Sequence, residues 1–592
     1  MKLGAFFAEL KRRNLYRIAI AYAVIGWLLV QIATQVFPFF ALPNWTVRLI
    51  IIAVIVGFPF LLLFAWFYEL TPEGLKLERE VDRDASTTRR TGKTLDRLII
   101  ATLALAVVLL LADRFVLHKD GAAPVSDQSI AVLPFVDMSA DKDQEYMSDG
   151  LAEELLNLLA KIPALQVTSR TSAFSFKGTN VGVAEIGKKL NVAHVLEGSV
   201  RKAGARLRIT VQLIDARSDT HLWSETYDRA LDDIFAVQDE IAASVVLQLK
   251  VALGTEAPKA RPADPKAYAL FLQARQIARK GAAQDIERAI VLFEQALAID
   301  PGMAAAWVVI ADQYLAQANK ALKPIDESYR LARAAINKAL AIDHDFVPAY
   351  TSLSRIASDY DNDLPAAAGY IEHAVALEPT NLQAIIAAAY LAQSLGRFDR
   401  AIAFDQFAVA HDPLTPARHG SLGFDYARSG RLDDAVASYR TALRLAPGRV
   451  GTHYNVGEIL LRQGKVEEAS AEFQQEPEET YRLQGLAMAF HSSGSKAQSD
   501  AALSDLITRF AKDCAYNIAY IMAWRGETDR AFEWLDKAVE YHDTGLVEIP
   551  DEPMFANIKD DPRFLPFLRK LGKAPEQLAA IKFDIALPKG TK

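Results

Sequence analysis

One cysteine, Cys514, stands among 592 residues. A lone thiol excludes an internal disulfide and a multi-cysteine metal site, and it leaves the redox compartment open. A surplus of either charge is missing too: 66 Lys and Arg face 73 Asp and Glu, for a net charge of −7. No cationic surface builds up for a polyanion, so nucleic acid is not an expected partner. Catalytic signatures are also absent. There is no nucleophile elbow, no His-Glu-x-x-His or His-x-x-Glu-His, and no dinucleotide-binding glycine pattern. The 10 histidines are scattered singly, and His411 and His419, which bracket a repeat boundary, read as surface residues. Asp141–Glu145 is acidic but lacks the spacing of a calcium loop. The expectation is a non-enzymatic protein with no catalytic residue, no cofactor and no metal.

What is present begins with long apolar runs. No charge falls between Arg17 and Arg48, and residues 18–37 suffice for a membrane helix. Residues 49–68 form a second uncharged run. Both reach the length of about 20 residues that a bilayer requires. Tyr16, Trp45, Trp66 and Tyr68 fall near the ends, where aromatic rings favour the interface. A third stretch, 98–117, is interrupted by Asp113 and Arg114. A run that short also suits a buried soluble helix, but charges near one end can snorkel to the headgroups, which favours a span.

Basic residues then set the orientation. Lys2, Lys11, Arg12, Arg13 and Arg17 precede the first run, and the 38–48 loop carries only Arg48. Loop 69–97 carries Lys76, Arg79, Arg83, Arg89, Arg90, Lys93 and Arg97. The positive-inside rule places tail 1–17 and loop 69–97 in the cytoplasm. With three spans, everything after 117 lies outside, in the periplasm of a Gram-negative cell. With two spans it would be cytoplasmic.

Residues 118–128 read as a tether, and a small α/β domain follows at 129–253. Ile130–Phe135 is a continuously apolar strand, and Leu151, Leu155, Leu158, Leu159 and Ile162 repeat at helical spacing. A strand at Leu165–Thr168 and a short helix with Val183, Ile186 and Leu190 come next. In "ARLRITVQLID", Leu207, Ile209, Val211 and Leu213 alternate with Arg206, Arg208, Thr210 and Gln212. This is the pattern of a half-buried antiparallel strand, here the centre of a three-stranded meander. A closing helix starts near Asp232. Gly182 to Lys189 nearly matches a phosphate-binding loop, but Lys189 stands where that motif needs Ser or Thr, and "VAEI" suits an amphipathic helix. Arg201, Arg206 and Arg208 read as a solvated basic face.

The blocks "SIAVLPF", "SDGLAEELLNLLAKI", "VTSRTSAFSFKG" and "EIGKKLNVAHVLEGSVRKAGARLRITVQLIDARSDTHLWSETYDR" occur in order. They resemble the bacterial TolB-amino-terminal-like (FlgO-like) α/β domain. The resemblance implies a domain placed between a membrane anchor and tetratricopeptide repeats, with no known ligand. Relatives often carry an adenylate cyclase or a winged-helix domain on the cytoplasmic side. Here segments 1–17 and 69–97 are too small for either.

Past a Pro/Ala-rich linker at 254–265, the chain repeats. Pro379, Pro413 and Pro447 are 34 residues apart, the tetratricopeptide period. Gly423, Tyr426, Gly430, Ala435, Tyr439, Ala442 and Pro447 occupy the small, aromatic, turn and breaker positions. The expectation is a solenoid of about eight repeats over 266–540, with 541–592 as a capping segment. The fold class is therefore multi-domain: transmembrane helices, a small α/β domain, then an all-α solenoid. The first helix of each repeat lines a groove for a protein or peptide. Its expected exposed positions are Gln383, Tyr390, Gln393, Phe424, Arg428, Tyr454, Glu458, Arg462, Tyr516 and Tyr520. Tyrosine and arginine are enriched in binding hot spots, although tyrosines also serve as packing residues. The competing expectation is a transmembrane sensor whose α/β domain binds a ligand and signals through loop 69–97.

Overall fold

A computed structural model describes residues 125–204, 206–230, 233–249, 263–320 and 322–587. It also describes two short strands, Tyr68–Thr71 and Gly74–Leu77, and single positions between 22 and 58. The chain forms two compact bodies, Met1–Ala123 and Pro124–Lys592.

In the first body the two strands pair antiparallel, Tyr68 opposite Leu77. The Tyr22 hydroxyl donates to the Val54 carbonyl at 3.0 Å. A Cβ on Gly26 would lie 2.7 Å from Val54 Cγ1, so these two positions approach closely because residue 26 is small. Among the described residues no helix is long and apolar enough to cross a membrane. The expected spans lie almost wholly outside the described residues.

In the second body, a mixed sheet opens the chain. Its strands are β1 (Ser129–Val132), β2 (Val136–Asp137), β3 (Gln166–Val167), β4 (His194–Ala203), β5 (Arg206–Asp215) and β6 (Thr220–Ala230). The order is β3-β1-β4-β5-β6, with β2 beside the far half of β4. β1 runs parallel to both neighbours, while β4, β5 and β6 form the antiparallel meander. The strand expected over Ile130–Phe135 ends at Val132, and β2 begins only at Val136. Pro134, which has no N–H to give a ladder, lies in the break.

Alternation along β5 sends Leu207, Ile209, Val211 and Leu213 into the core. They meet the apolar stripes of α1 (Glu145–Ala160) and of α4 (Ile234–Gln248), the closing helix. Two shorter helices lie between: α2 (Arg170–Phe174) and α3 (Val183–Leu190). The near match to a phosphate loop is α3 itself, begun at Gly182 and closed by a Glu185–Lys189 ion pair at 2.8 Å. Arg206 and Arg208 both pair with Asp228 of β6, which offsets part of the positive charge on that stretch of the sheet face.

Eight helical hairpins follow, numbered here as repeats. Repeat 1 pairs Pro265–Ala278 with Ala283–Ile299, and repeat 2 pairs Ala304–Asn319 with Ile325–Ile342. Repeat 3 is Val347–Asp359 with Leu364–Leu377, and repeat 4 is Leu382–Ser394 with Phe398–His411. Repeat 5 is Pro416–Arg428 with Leu432–Leu445, and repeat 6 is Thr452–Arg462 with Val466–Gln475. Repeat 7 is Glu479–Ser492 with Lys496–Phe510, and repeat 8 is Ala515–Trp524 with Thr528–Glu540. Asp264 and Asn381 cap first helices by accepting from backbone N–H groups. Gly430, at φ 81, takes the left-handed turn between the helices of repeat 5.

The C-terminal segment does not end the stack as a simple polar cap. Residues 544–558 form three short 3-10 turns, followed by helices Phe564–Lys570 and Pro575–Ala580. Ile549, Met554, Phe555 and Ile558 are fully buried. Farther on, the Arg397 and Arg400 guanidiniums donate to the Phe583 carbonyl at 3.1 and 2.8 Å. The Phe583 ring meets Phe404 at 6.4 Å, and the Asp584 N–H donates to Glu372. The segment thus runs from repeat 8 back to repeats 3 and 4.

Candidate functional site: the groove and the strap across it

The first helices of repeats 4, 5, 6 and 8 carry the ten residues expected to be exposed. Most are not, because residues 543–558 lie across them as a strap. Arg428 is the centre of the contact. Its guanidinium donates to the Asp551 carbonyl at 3.0 Å, to Glu548 at 2.9 Å and to Glu552 at 2.8 Å, and its side chain is 6% exposed. The Phe424 ring lies 4.8 Å from the same guanidinium. Burial pushes the Glu552 carboxyl up, but Arg428 and hydrogen bonds from the Met554 N–H and Tyr516 outweigh it and hold it below the ordinary range. Glu458 goes the other way, raised by burial and by the neighbouring Glu552. Arg462 stands 3.6 Å from Glu458. Several carboxylates thus share two guanidiniums, and Glu458, which faces the weaker partner, holds its proton more tightly than an ordinary carboxyl.

The tyrosines are packing residues with satisfied hydroxyls. Tyr454 and Tyr520 hydroxyls meet at 2.8 Å, and Tyr520 donates to Gln484 at 2.9 Å. Tyr516 donates to Glu552 at 3.3 Å. Both Tyr516 and Tyr520 pack edge-on to Phe555 of the strap, at 5.6 and 6.3 Å. Exposure was the wrong expectation for Arg428, Tyr454, Tyr516 and Tyr520, and the strap and neighbouring helices are the reason. Gln393 is half-buried and donates to Asp425 at 2.8 Å and to Asp405 at 3.5 Å. Burial, then the facing Asp405, raises the Asp425 carboxyl far above the ordinary range. Only Gln383 and Tyr390 remain open, and the 43%-exposed Tyr390 donates to Asp359 at 3.2 Å.

Sequence reading missed the acidic strap residues and the Asp405–Asp425 pair. The signal for the first was the acidic run "VEIPDEP", read as part of a cap. Another correction concerns His411, which is buried, stacks on Phe407 at 4.0 Å and gives its carbonyl to the Ser169 N–H. It lies where the α/β domain meets the solenoid. There Asp412 accepts from Ser169 and Ser172, and the Leu414 N–H donates to Ser172. A second junction joins α1 to repeat 1. Buried Glu153 takes Arg170 from its own domain and both Arg275 and Arg279 from the solenoid. Cys514 is buried, and its thiol is pushed up to about 11, chiefly by burial.

Two family models match parts of the chain. One, described as HilA/YgeH-like transcriptional regulator, second domain, covers residues 126–244. The other, described as tetratricopeptide repeat, covers 421–480. Among curated proteins, "Putative adenylate cyclase 3" of Rhizobium meliloti (strain 1021) is 43% identical over 182 residues, 30% of this chain and 31% of that protein. The chain therefore spans about a third of the length of the curated relative it matches. Solved structures similar to it include PilF of Pseudomonas aeruginosa, at 16% identity and TM-score 0.31 over 38% of this chain and 98% of that one. The type IV pilus biogenesis factor PilW is 17% identical, with TM-score 0.29 over 44% of this chain and 100% of that one. The chain carries tetratricopeptide repeats in a helical solenoid, joined to a small mixed-sheet domain.

Proposed function

We propose that this chain is a membrane-anchored, non-enzymatic scaffold of the bacterial envelope that recruits protein or peptide partners on its solenoid. In this reading, stretches 18–37, 49–68 and 98–117 hold it in the inner membrane. Residues after 117 lie in the periplasm, and 129–253 is a TolB-amino-terminal-like (FlgO-like) module. One observation carries the scaffold reading. The first helices of repeats 5 to 8 hold the chain's own strap as such a groove holds a peptide, with Arg428 reading acidic side chains. An occupied groove leaves the open stretch at repeats 2 to 4 for a partner. There Arg355 pairs with Asp312 at 3.1 Å, Tyr329 stacks on Tyr360 at 4.3 Å, and Tyr390 stays exposed. The cyclase activity named for the curated relative stays with that protein, whose shared part is under a third of its length.

The test is site-specific photocrosslinking in living cells, with the crosslinker at 390 or at 454. A discrete adduct from 390, lost in Arg355→Glu and absent from 454, supports the reading. No adduct from 390 counts against it. The sensor alternative draws on the Glu153 junction, which couples the α/β domain to repeat 1. Replacing loop 69–97 by a neutral linker abolishes function if the sensor reading holds and leaves it intact if the scaffold reading does.

A further inference from the structure

We propose that His344, Asp345 and His373 form a surface site for a zinc-class divalent cation at the joint between repeats 2 and 3. His344 and Asp345 lie in the loop after the second helix of repeat 2, and His373 lies on the second helix of repeat 3. One ligand atom from each falls within 4.8 Å of the others. His344 Nδ1 is 3.5 Å from Asp345 Oδ1. A four-coordinate ion with bonds of about 2.0–2.1 Å needs its donors closer than 4.8 Å. The side chains of His344 and Asp345 are 83% and 70% exposed, so they can close that gap by rotation alone.

Two further observations point to a ligand. His373 Nε2 is enclosed and has no hydrogen-bond partner. That atom makes no hydrogen bond that an ion would have to displace. Tyr350 also links the His373 ring to the backbone of His344. Its ring lies edge-on to His373 at 4.4 Å, and its hydroxyl donates to the His344 carbonyl at 2.8 Å. The His344 and His373 rings stand nearly perpendicular, with centroids 6.3 Å apart, so neither stacks over the other's nitrogens.

The donor set selects the ion. Two imidazoles and one carboxylate suit late first-row divalent cations, not calcium or magnesium, which prefer oxygen alone. Solvent exposure removes the dry cavity that metal catalysis uses, so the role assigned is structural and connective. A bound ion would tie the inter-repeat loop to the helix of repeat 3 and leave a coordination position facing solvent.

The experiment uses the full chain, purified through a tag without histidine, stripped by chelator and titrated with Co²⁺ and then Zn²⁺. Expected are a single Co²⁺ with the intense visible absorption of a low-coordinate site, and its displacement by Zn²⁺. His344→Ala and Asp345→Asn, exposed positions that leave the metal-free fold intact, weaken binding roughly tenfold or more, and Tyr350→Phe weakens it by about tenfold through lost positioning. The pale spectrum of a hydrated ion, or equal binding by the His344→Ala and Asp345→Asn variants, overturns the site as adventitious.

Discussion

Repeats 5 to 8 and repeats 2 to 4 are built on the same helical hairpin, yet their first helices present different surfaces. In repeats 5, 6 and 8, Tyr426, Tyr454, Tyr516, Tyr520 and the Arg428 side chain are buried under the strap or against neighbouring helices. In repeat 4, Tyr390 keeps 43% of its surface in solvent, and Tyr360, just past the first helix of repeat 3, keeps 40%, while Tyr350 within that helix is buried. The contrast teaches that position within a repeat does not decide exposure. What decides it is whether another segment returns to cover the helix.

The comparison breaks most visibly at Arg428. Arg428→Ala leaves the buried Glu552 without its guanidinium, and a loss of about 3–5 kcal/mol is expected. Equilibrium unfolding in urea measures it, and a loss no larger than that of Tyr390→Phe would remove the distinction between the two halves.

Gly485→Ala comes next. A Cβ there would lie 2.1 Å from the Phe473 ring, which is wholly buried. Overpacking of this kind costs about 1–3 kcal/mol, read as a lower melting temperature.

The third prediction concerns pH, at the boundary between the halves. Burial and the facing Asp405 raise the folded Asp425 pKa above its unfolded value. The native state therefore binds more protons than the unfolded one, and the contribution is full below the unfolded pKa of about 3.9 and lost as pH rises through the folded value. Asp425→Asn, which keeps a group able to bond Gln393, flattens this fall. Melting temperatures of both proteins at pH 5 and at pH 8, each pH chosen about one unit or more above that unfolded value, check it, and parallel curves count against it.

The smallest effect is expected at Tyr390→Phe and Gln383→Ala. Both sit on open surface, and a change within about 0.5 kcal/mol is expected for each. A large loss would mean that this stretch, too, is covered.

Legibility in the sequence followed the range of the interactions. The meander was readable because alternation in "RLRITVQL" is a local consequence of one face meeting a core. Gly423 with Tyr439, and Gly430 with Pro447, spelled out a hairpin within one period. The break at Pro134 had a local signal that the apolar run masked, whereas the burial of His411 was not readable, since it depends on Ser169 and its neighbours far along the chain. The binding-residue reading lost most, for it assigned exposure by repeat position and had no means to place the strap.

By itself, the sequence determined the hairpin period, the small residues that let paired helices approach, and the alternation that faces β5 to its core. Each is set by residues within a few turns or one repeat of each other. Only the tertiary structure decided that residues 543–558 lie over Arg428, that Glu153 gathers arginines from two domains, and that His344 and Asp345 stand beside His373. Such meetings arise where segments distant in the chain are folded together, and their energies come from burial and charge pairing that no local pattern encodes.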